Sequence, residues 1–493
     1  MHVLSIISVV AAAIPFASSL EVEAPIAART ADIESDWSAV YYGRNPLLLG
    51  NDGTAASGGF RAWDLNSGTP LREVLKKTPG RTKLVTSVYE VDDKDYLVTI
   101  DQPESILRLY DFDNLDRKEK ASKKVLGDWS ALCPWKSRAG NQYVFLFGKK
   151  QAIQFLLRDG EDDLEIVEIQ TFETPVEASS CAVLPDVVYF SGDDDKSVYT
   201  FNARESTAKP TITVLGEAED DVTGLTSYVG KNTKDDYLLV AQKDVISVFS
   251  RNFAALGSIK LTGDEDIETQ GLSIYQRKTS KYAAGVLGFA IESDSATGFG
   301  VAAIKESFDA LGLKLNTEYD PTKKPSRDVK DPISDDCNDN GYLSSHSKRY
   351  AGSSCDCFAG FTGRECKKVT CRSDCSGHGK CVGANECKCD AGWGGLYCSF
   401  LLVEPKAETD ANGGDGDDPA IWIAPGNTAN SRIITTTKSE VGAGLGVFDL
   451  SGRLLQTISA GEPNNVDMIY GFQAGNRTVD LAYAACREDN TLW

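Results

Sequence analysis

Short apolar runs with β-branched and aromatic residues recur along the first two thirds of the chain: YLVTI (96–100), YVFLFG (143–148), AIQFLL (152–157), VVYFSG (187–192), YLLVAQ (237–242) and VISVFS (245–250). Turn-forming clusters such as RDGEDD (158–163), SGDDDKS (191–197) and GKNTKDD (230–236) separate them, and helical periodicity is sparse. That texture predicts an all-β region of evenly spaced short strands. Residues 36–325, divided by ~45–50 residues per four-stranded blade, give about six blades, so a six-bladed β-propeller is expected.

The texture changes twice after that. Residues 335–400 are rich in Cys, Gly and short polar residues, in a partial unit at 335–366 and a complete one at 371–398. Strand-like runs return over 401–493 with SRIITTTK (431–438), LGVFDLSGRLLQTIS (445–459) and TVDLAYAACR (478–487). This stretch has room for about two blades and stops inside a strand-like run, NTLW, so it is expected to be the start of a second, truncated propeller. The first and last β regions also share a pattern. Residues 45–71 and 430–455 both run apolar strand, polar loop, glycines, aromatic-Asp-Leu strand and Gly-containing turn. The acidic run GDGDD (414–418) is expected to have no early counterpart.

Charge narrows the partners. Lys and Arg number 51 against 72 Asp and Glu, a formal net charge of −21. With no basic stripe, nucleic acid and anionic membranes are poor partners, and an anionic substrate would need metal ions between the two sets of charges. Residues 1–19 read as a secretory signal, with an apolar stretch from Val3 to Ile14 and small residues before a cleavage point after Ser19. No later run approaches the ~18 apolar residues of a membrane helix, so a secreted, extracellular protein without a membrane span is expected.

Ten of the 13 cysteines lie between Cys337 and Cys398, which in an oxidising compartment predicts disulfides. Zinc is the competing reading, but no C-x2-C pair supports it. Cys133 and Cys181 are candidates to pair, Cys486 is left over, and Asn476 heads a glycosylation sequon.

Only three histidines occur: His2 in the signal, and His346 and His378 among the clustered cysteines. A histidine nucleophile, a Ser-His-Asp triad and a His-rich metal centre are therefore excluded. Cys366 and Arg372 have a thiol-phosphatase spacing, but Cys366 is expected to be oxidised. Carboxylates, carbonyls, Lys and Arg remain, an inventory suited to calcium and phosphate. DGDDP (415–419), NNVD (464–467), TTTK (435–438) and AACRED (484–489) put acids, an amide and two lone cations at strand ends. An acidic loop alone is most often a solvated turn.

The spacing Cys371-x3-Cys375-x5-Cys381-x5-Cys387-x-Cys389-x8-Cys398 resembles an EGF-like domain. That resemblance implies the pairs Cys371–Cys381, Cys375–Cys387 and Cys389–Cys398. In the partial unit it implies Cys337–Cys355 and Cys357–Cys366, the whole serving as a spacer or an extracellular contact surface. DGDDPAIWIAP, IITTTK, NNVD and VDLAYAACR, in this order, resemble the opening blades of the β-propeller phytases. The resemblance implies a calcium-dependent phosphatase acting on phytate or another phosphorylated small molecule. It assigns Asp417 and Asp418, with Asp415 before them, and Asn465 and Asp467 to calcium. It assigns Lys438 and Arg487 to phosphate, and the catalytic set becomes Asp417, Asp418, Lys438 and Arg487. Where the family carries Arg in N-N-V-D-x-R-Y, this chain has Ile469, with Tyr470 kept. The first β region is more remotely similar: Glu177, Asp221 and Glu268 match inward acids, while Thr223 and Gln270 stand where acids are expected. It therefore reads as a degenerate copy. A non-catalytic propeller and EGF binding protein is the rival reading.

Overall fold

The computed structural model describes residues 20–54, 58–102, 104–115, 118–160, 163–263, 267–293, 296–323, 329–343, 355–412, 416–438, 443–488 and 490–493. The expected signal, 1–19, lies outside them. The chain forms two compact units that divide between Leu401 and Leu402.

In the first unit, four separate four-stranded sheets and one eight-stranded sheet that divides into two make six blades. Each runs antiparallel from an inner strand outward, the first from Ser38–Tyr41 to Arg72–Lys77 and the third from Trp129–Lys136 to Leu164–Glu173. Strands buried on both faces read as continuous apolar runs, and every residue of Gln142–Gly148 is buried. Hydroxyls on inner strands tie neighbouring blades. Ser87 Oγ donates to Val40 O at 2.8 Å, Ser227 Oγ to Val183 O at 2.7 Å, and Ser130 Oγ to Ala178 O. A Cys133–Cys181 disulfide adds a covalent tie between blades three and four.

The sixth blade takes its outer strand from Glu21–Arg29. Ile26 stands opposite Ala302 in an antiparallel ladder, while Glu21 to Pro25 run parallel to Ser258 to Thr262. This strand lies before residue 36, where the sequence reading starts the propeller. EVEAPIAAR has mostly short side chains and a proline, so it carries little of the apolar signal that marks the other strands.

Residues 335–398 hold five further disulfides: Cys337–Cys355, Cys357–Cys366, Cys371–Cys381, Cys375–Cys387 and Cys389–Cys398. The sulfurs of Cys371, Cys375 and Cys387 lie within 4.8 Å of one another, but they are committed to two of these bridges, and no thiolate is left there for zinc. The disulfide-rich region packs on blade three. Tyr342 and Phe358 join the propeller core, and the Ala359 N–H donates to Ile169 O at 3.1 Å. Arg372 pairs with the buried Glu168, which also accepts from Asn385 Nδ2 at 3.3 Å.

The second unit has a four-stranded sheet, Gly416–Trp422, Arg432–Thr437, Gly444–Phe448 and Leu454–Ser459. A three-stranded sheet follows: Pro463–Ala474, Arg477–Cys486 and Thr491–Leu492. Ala420, Ile434, Leu445, Val466 and Ala484 form their small shared core. Cys486 is buried and belongs to none of the six disulfides. Among the described residues, no helix is long and apolar enough to cross a membrane.

Candidate metal and phosphate site

Both acidic segments of the second unit sit on β-bulges. Gly416 pairs with Thr437 and Pro419 with Thr435, so Asp417 and Asp418 together oppose the single residue Thr436. In the next sheet Pro463 pairs with Cys486 and Asn465 with Ala485, which places the second bulge at Asn464–Asn465. A bulge bends its strand and turns side chains away from strict alternation. Here it lets adjacent polar residues gather at the start of a strand whose continuation supplies the core.

The bulge is held from both sides. Thr436 Oγ1 accepts the Asp418 N–H at 2.9 Å, and Asp418 Oδ2 accepts the Val466 N–H at 3.0 Å, linking the two sheets. Asp418, Asn465, Asp467 and Tyr483 line one shallow depression, and Asp417 and Asp418 line a second beside Thr435–Thr437. Lys438 Nζ lies 2.7 Å from Asp417 Oδ2. Asp467 accepts its own neighbour's N–H, from Met468, at 2.7 Å, and the Tyr483 hydroxyl at 3.3 Å; its negative charge raises the Tyr483 pKa. Arg487 is exposed in the turn after Arg477–Cys486 and forms no ion pair among the described residues. Among those residues no three carboxylates come within 4.8 Å of one another, and Asp415 lies outside them.

Trp422 and Tyr470 support the site from behind. Trp422 Nε1 donates to Asp480 Oδ2 at 2.8 Å, and this bond, with the Gly471 N–H, lowers the Asp480 pKa. The Tyr470 hydroxyl donates to Ile421 O at 2.9 Å and accepts from the Ile423 N–H. Tyr470 therefore braces the first strand. Thr436, Asp480 and Tyr483 are parts of the site that motif reading missed. The only signal for Thr436 was its place in TTTK, and nothing local marks the other two. Asn476 is exposed in the hairpin turn before Arg477.

The repeat anticipated from sequence is visible in the ladders. Asp52 opposes Gly59 in the first blade as Thr437 opposes Gly444 in the second unit, and Ser38 opposes Gly50 as Pro419 opposes Thr435. In the following sheets the breaks at Thr82/Leu84 and Val88/Val91 match those at Pro463/Asn465 and Ile469/Phe472. Counting along these registers, Asp417 corresponds to Asp36, so the acidic run does have one early counterpart. The other positions differ: Trp37 replaces Asp418, Gly53 replaces Lys438, Leu84 replaces Asn465, Thr86 replaces Asp467 and Gln102 replaces Arg487. Elsewhere in the first unit, Glu177, Asp221 and Glu268 lie at the starts of inner strands, while the Thr223 hydroxyl is spent on Thr269 O.

Residues 397–492 match the phytase family model. A 3-phytase of Bacillus subtilis (strain 168) is 40% identical over 95 residues, which are 18% of this chain and 24% of that protein. The chain therefore matches about a quarter of that relative's length. A solved structure titled as the calcium-binding protein regucalcin, from Agrobacterium tumefaciens, is 11% identical, with 61% of this chain and 98% of that chain covered at a TM-score of 0.38. Kluyveromyces lactis Hsv2 is 10% identical, with 86% and 99% covered at a TM-score of 0.32. The C-terminal segment is related to the phytases.

Proposed function

We propose, taking the phytase-related segment as premise, that the second unit carries part of a calcium-dependent phosphomonoesterase site for phytate or a similar phosphorylated molecule outside the cell. The observation that carries this reading is the gathering of Asp418, Asn465 and Asp467 around one depression, beside the Asp417–Lys438 pair. Carboxylate and amide oxygens with no sulfur or imidazole among them fit a hard cation such as Ca²⁺. Bound there, calcium would supply positive charge to draw in phosphate and to acidify a bound water. The residues do the positioning. Thr436 fixes the Asp418 backbone and the Val466 N–H its carboxylate, Asp417 holds Lys438 at the rim, and the exposed Arg487 can reach a phosphoryl oxygen. With Ile469 at the position of the family's Arg, no third cation is supplied at this corner.

The test is calcium titration and phosphate release from phytate by the full chain. Saturable calcium binding and release abolished by EDTA are expected, and release undiminished in excess EDTA sinks the proposal. Secretion is checked by an N-terminus beginning near Leu20 in protein recovered from medium.

One observation favours a second reading. Five of the six site positions are replaced in the first propeller, so that unit does not duplicate the chemistry, and its braced EGF-like region suits a binding protein. Calcium binding with no phosphate release from any phosphomonoester would favour it.

A further inference from the structure

The inner strands of all six blades of the first unit surround a cavity of 210 Å³ that is open to solvent. The segment after the sixth blade crosses one end of it, where Tyr319 stands edge-on to Tyr42 with ring centroids 5.6 Å apart. That crossing is tied down at both sides. Asn316 Nδ2 donates to Val229 O at 3.0 Å on the fifth blade. From the third blade, Lys136 Nζ donates to Pro321 O at 3.3 Å and to Thr322 O at 3.0 Å. The cavity is thus built before anything enters it.

Three hydroxyls on its wall, those of Thr86, Thr226 and Tyr319, have no hydrogen-bond partner among the described residues. Thr86 and Thr226 are 5% and 9% exposed, on the inner strands of the second and fifth blades, which stand opposite one another in a ring of six. None of the three oxygens is closed off. Gln142 Nε2, also on the wall, is unmet and has no open surface, so it can meet no ligand. Buried hydroxyls normally find partners, and open ones on facing walls point to an occupant that bridges them. One water takes only about 30 Å³ and cannot span this space. The chain carries −21, yet no carboxylate lines the cavity. Lys136 is the one charged side chain there, and its ammonium is engaged by two carbonyls. The wall therefore suits an uncharged guest.

We propose that this cavity binds a neutral cyclic polyol, the chemistry of a free monosaccharide or an inositol. Its hydroxyls exchange hydrogen bonds with Thr86 and Thr226 on opposite walls and with Tyr319 at the covered end. Its C–H edges meet Val40, Pro134, Val183 and Val229, lining residues that are only half-buried. The site lies wholly within the first unit and does not depend on the reading of the second.

The experiment is calorimetric titration of the full chain with myo-inositol, glucose and glucuronate. Saturable binding of a neutral ring is expected, the tighter of myo-inositol and glucose identifying the class of guest, with glucuronate weaker by about tenfold or more. The Thr86→Val/Thr226→Val double variant should lose about tenfold in affinity. It should lose no thermal stability, because neither hydroxyl has a bond to give up. Tyr319→Phe, with folding checked by circular dichroism, should also weaken binding, whereas Lys438→Ala should not change it. Absence of saturable binding by both neutral rings leaves water as the only occupant and overturns the proposal. Glucuronate binding as tight as the better neutral ring, or unchanged affinity in the hydroxyl variants, overturns it too.

Discussion

Asp418 does two jobs that pull on the same carboxylate. One oxygen accepts the Val466 N–H between sheets, and the residue lines the depression proposed above for calcium. Asp418→Ala is therefore expected to lower the stability of the second unit by about 1–3 kcal/mol, measured by urea unfolding, besides weakening calcium binding. Lys438→Ala should leave stability within about 0.5 kcal/mol, because its partner Asp417 is substantially exposed, and should act on phosphate affinity alone. The acids and cations were legible as residue types in a motif. Their support was not, because Thr436 opposes the bulge only once two strands have paired, and Asp480 reaches Trp422 across 58 positions of sequence. Glu205 gives a pH prediction. Burial raises its pKa, against lowering by the Asn141, Ser137 and Tyr143 hydrogen bonds. A carboxyl raised in the folded state binds its proton more tightly there than in the unfolded chain. Its contribution is greatest at acid pH and falls as pH rises from the ordinary Glu range through the folded pKa. Glu205→Gln should flatten that part of the stability profile and retain the bonds from Asn141 and Tyr143. An unchanged slope between pH 4 and 7 would count against it.

Among elements, the six-blade count came from turn spacing, a local signal. The EGF-like pairings were available only through resemblance, since cysteine spacing alone permits many connectivities. The strand Glu21–Arg29 was missed because its place depends on partners far along the chain rather than on its own pattern. The Cys133–Cys181 bridge joins the inner strands of two neighbouring blades that are also tied by the Ser130 hydroxyl. Replacing both cysteines with serine is expected to cost about 2–4 kcal/mol in the first unit. Unfolding of the first unit under non-reducing denaturant is the measurement, and a loss under 1 kcal/mol would show that the blades hold without the bridge.

At the scale of the molecule, the disulfide-rich region is more than a tether. Its Tyr342 and Phe358 fill the propeller core, and Arg372 meets Glu168, which is 8% exposed. Arg372→Ala leaves that carboxylate buried with weaker partners, an expected cost of about 1–3 kcal/mol. Hydrogen exchange in residues 355–398 should then quicken, and unaltered exchange would mean that the two parts hold without the pair. The N-terminal strand has a consequence for assembly in time. Ile26 waits for Ala302, which is 276 positions later (302 − 26). At ~5–20 residues per second the wait is roughly 14–55 s of synthesis. Glu21–Pro25 finds its partner once Ser258–Thr262 is made, but the second half of the strand has none until the sixth blade is complete, and until then that edge is open to any passing strand. The ring is sealed by its N-terminal segment, so the ribosome must finish all six blades before the ring can close.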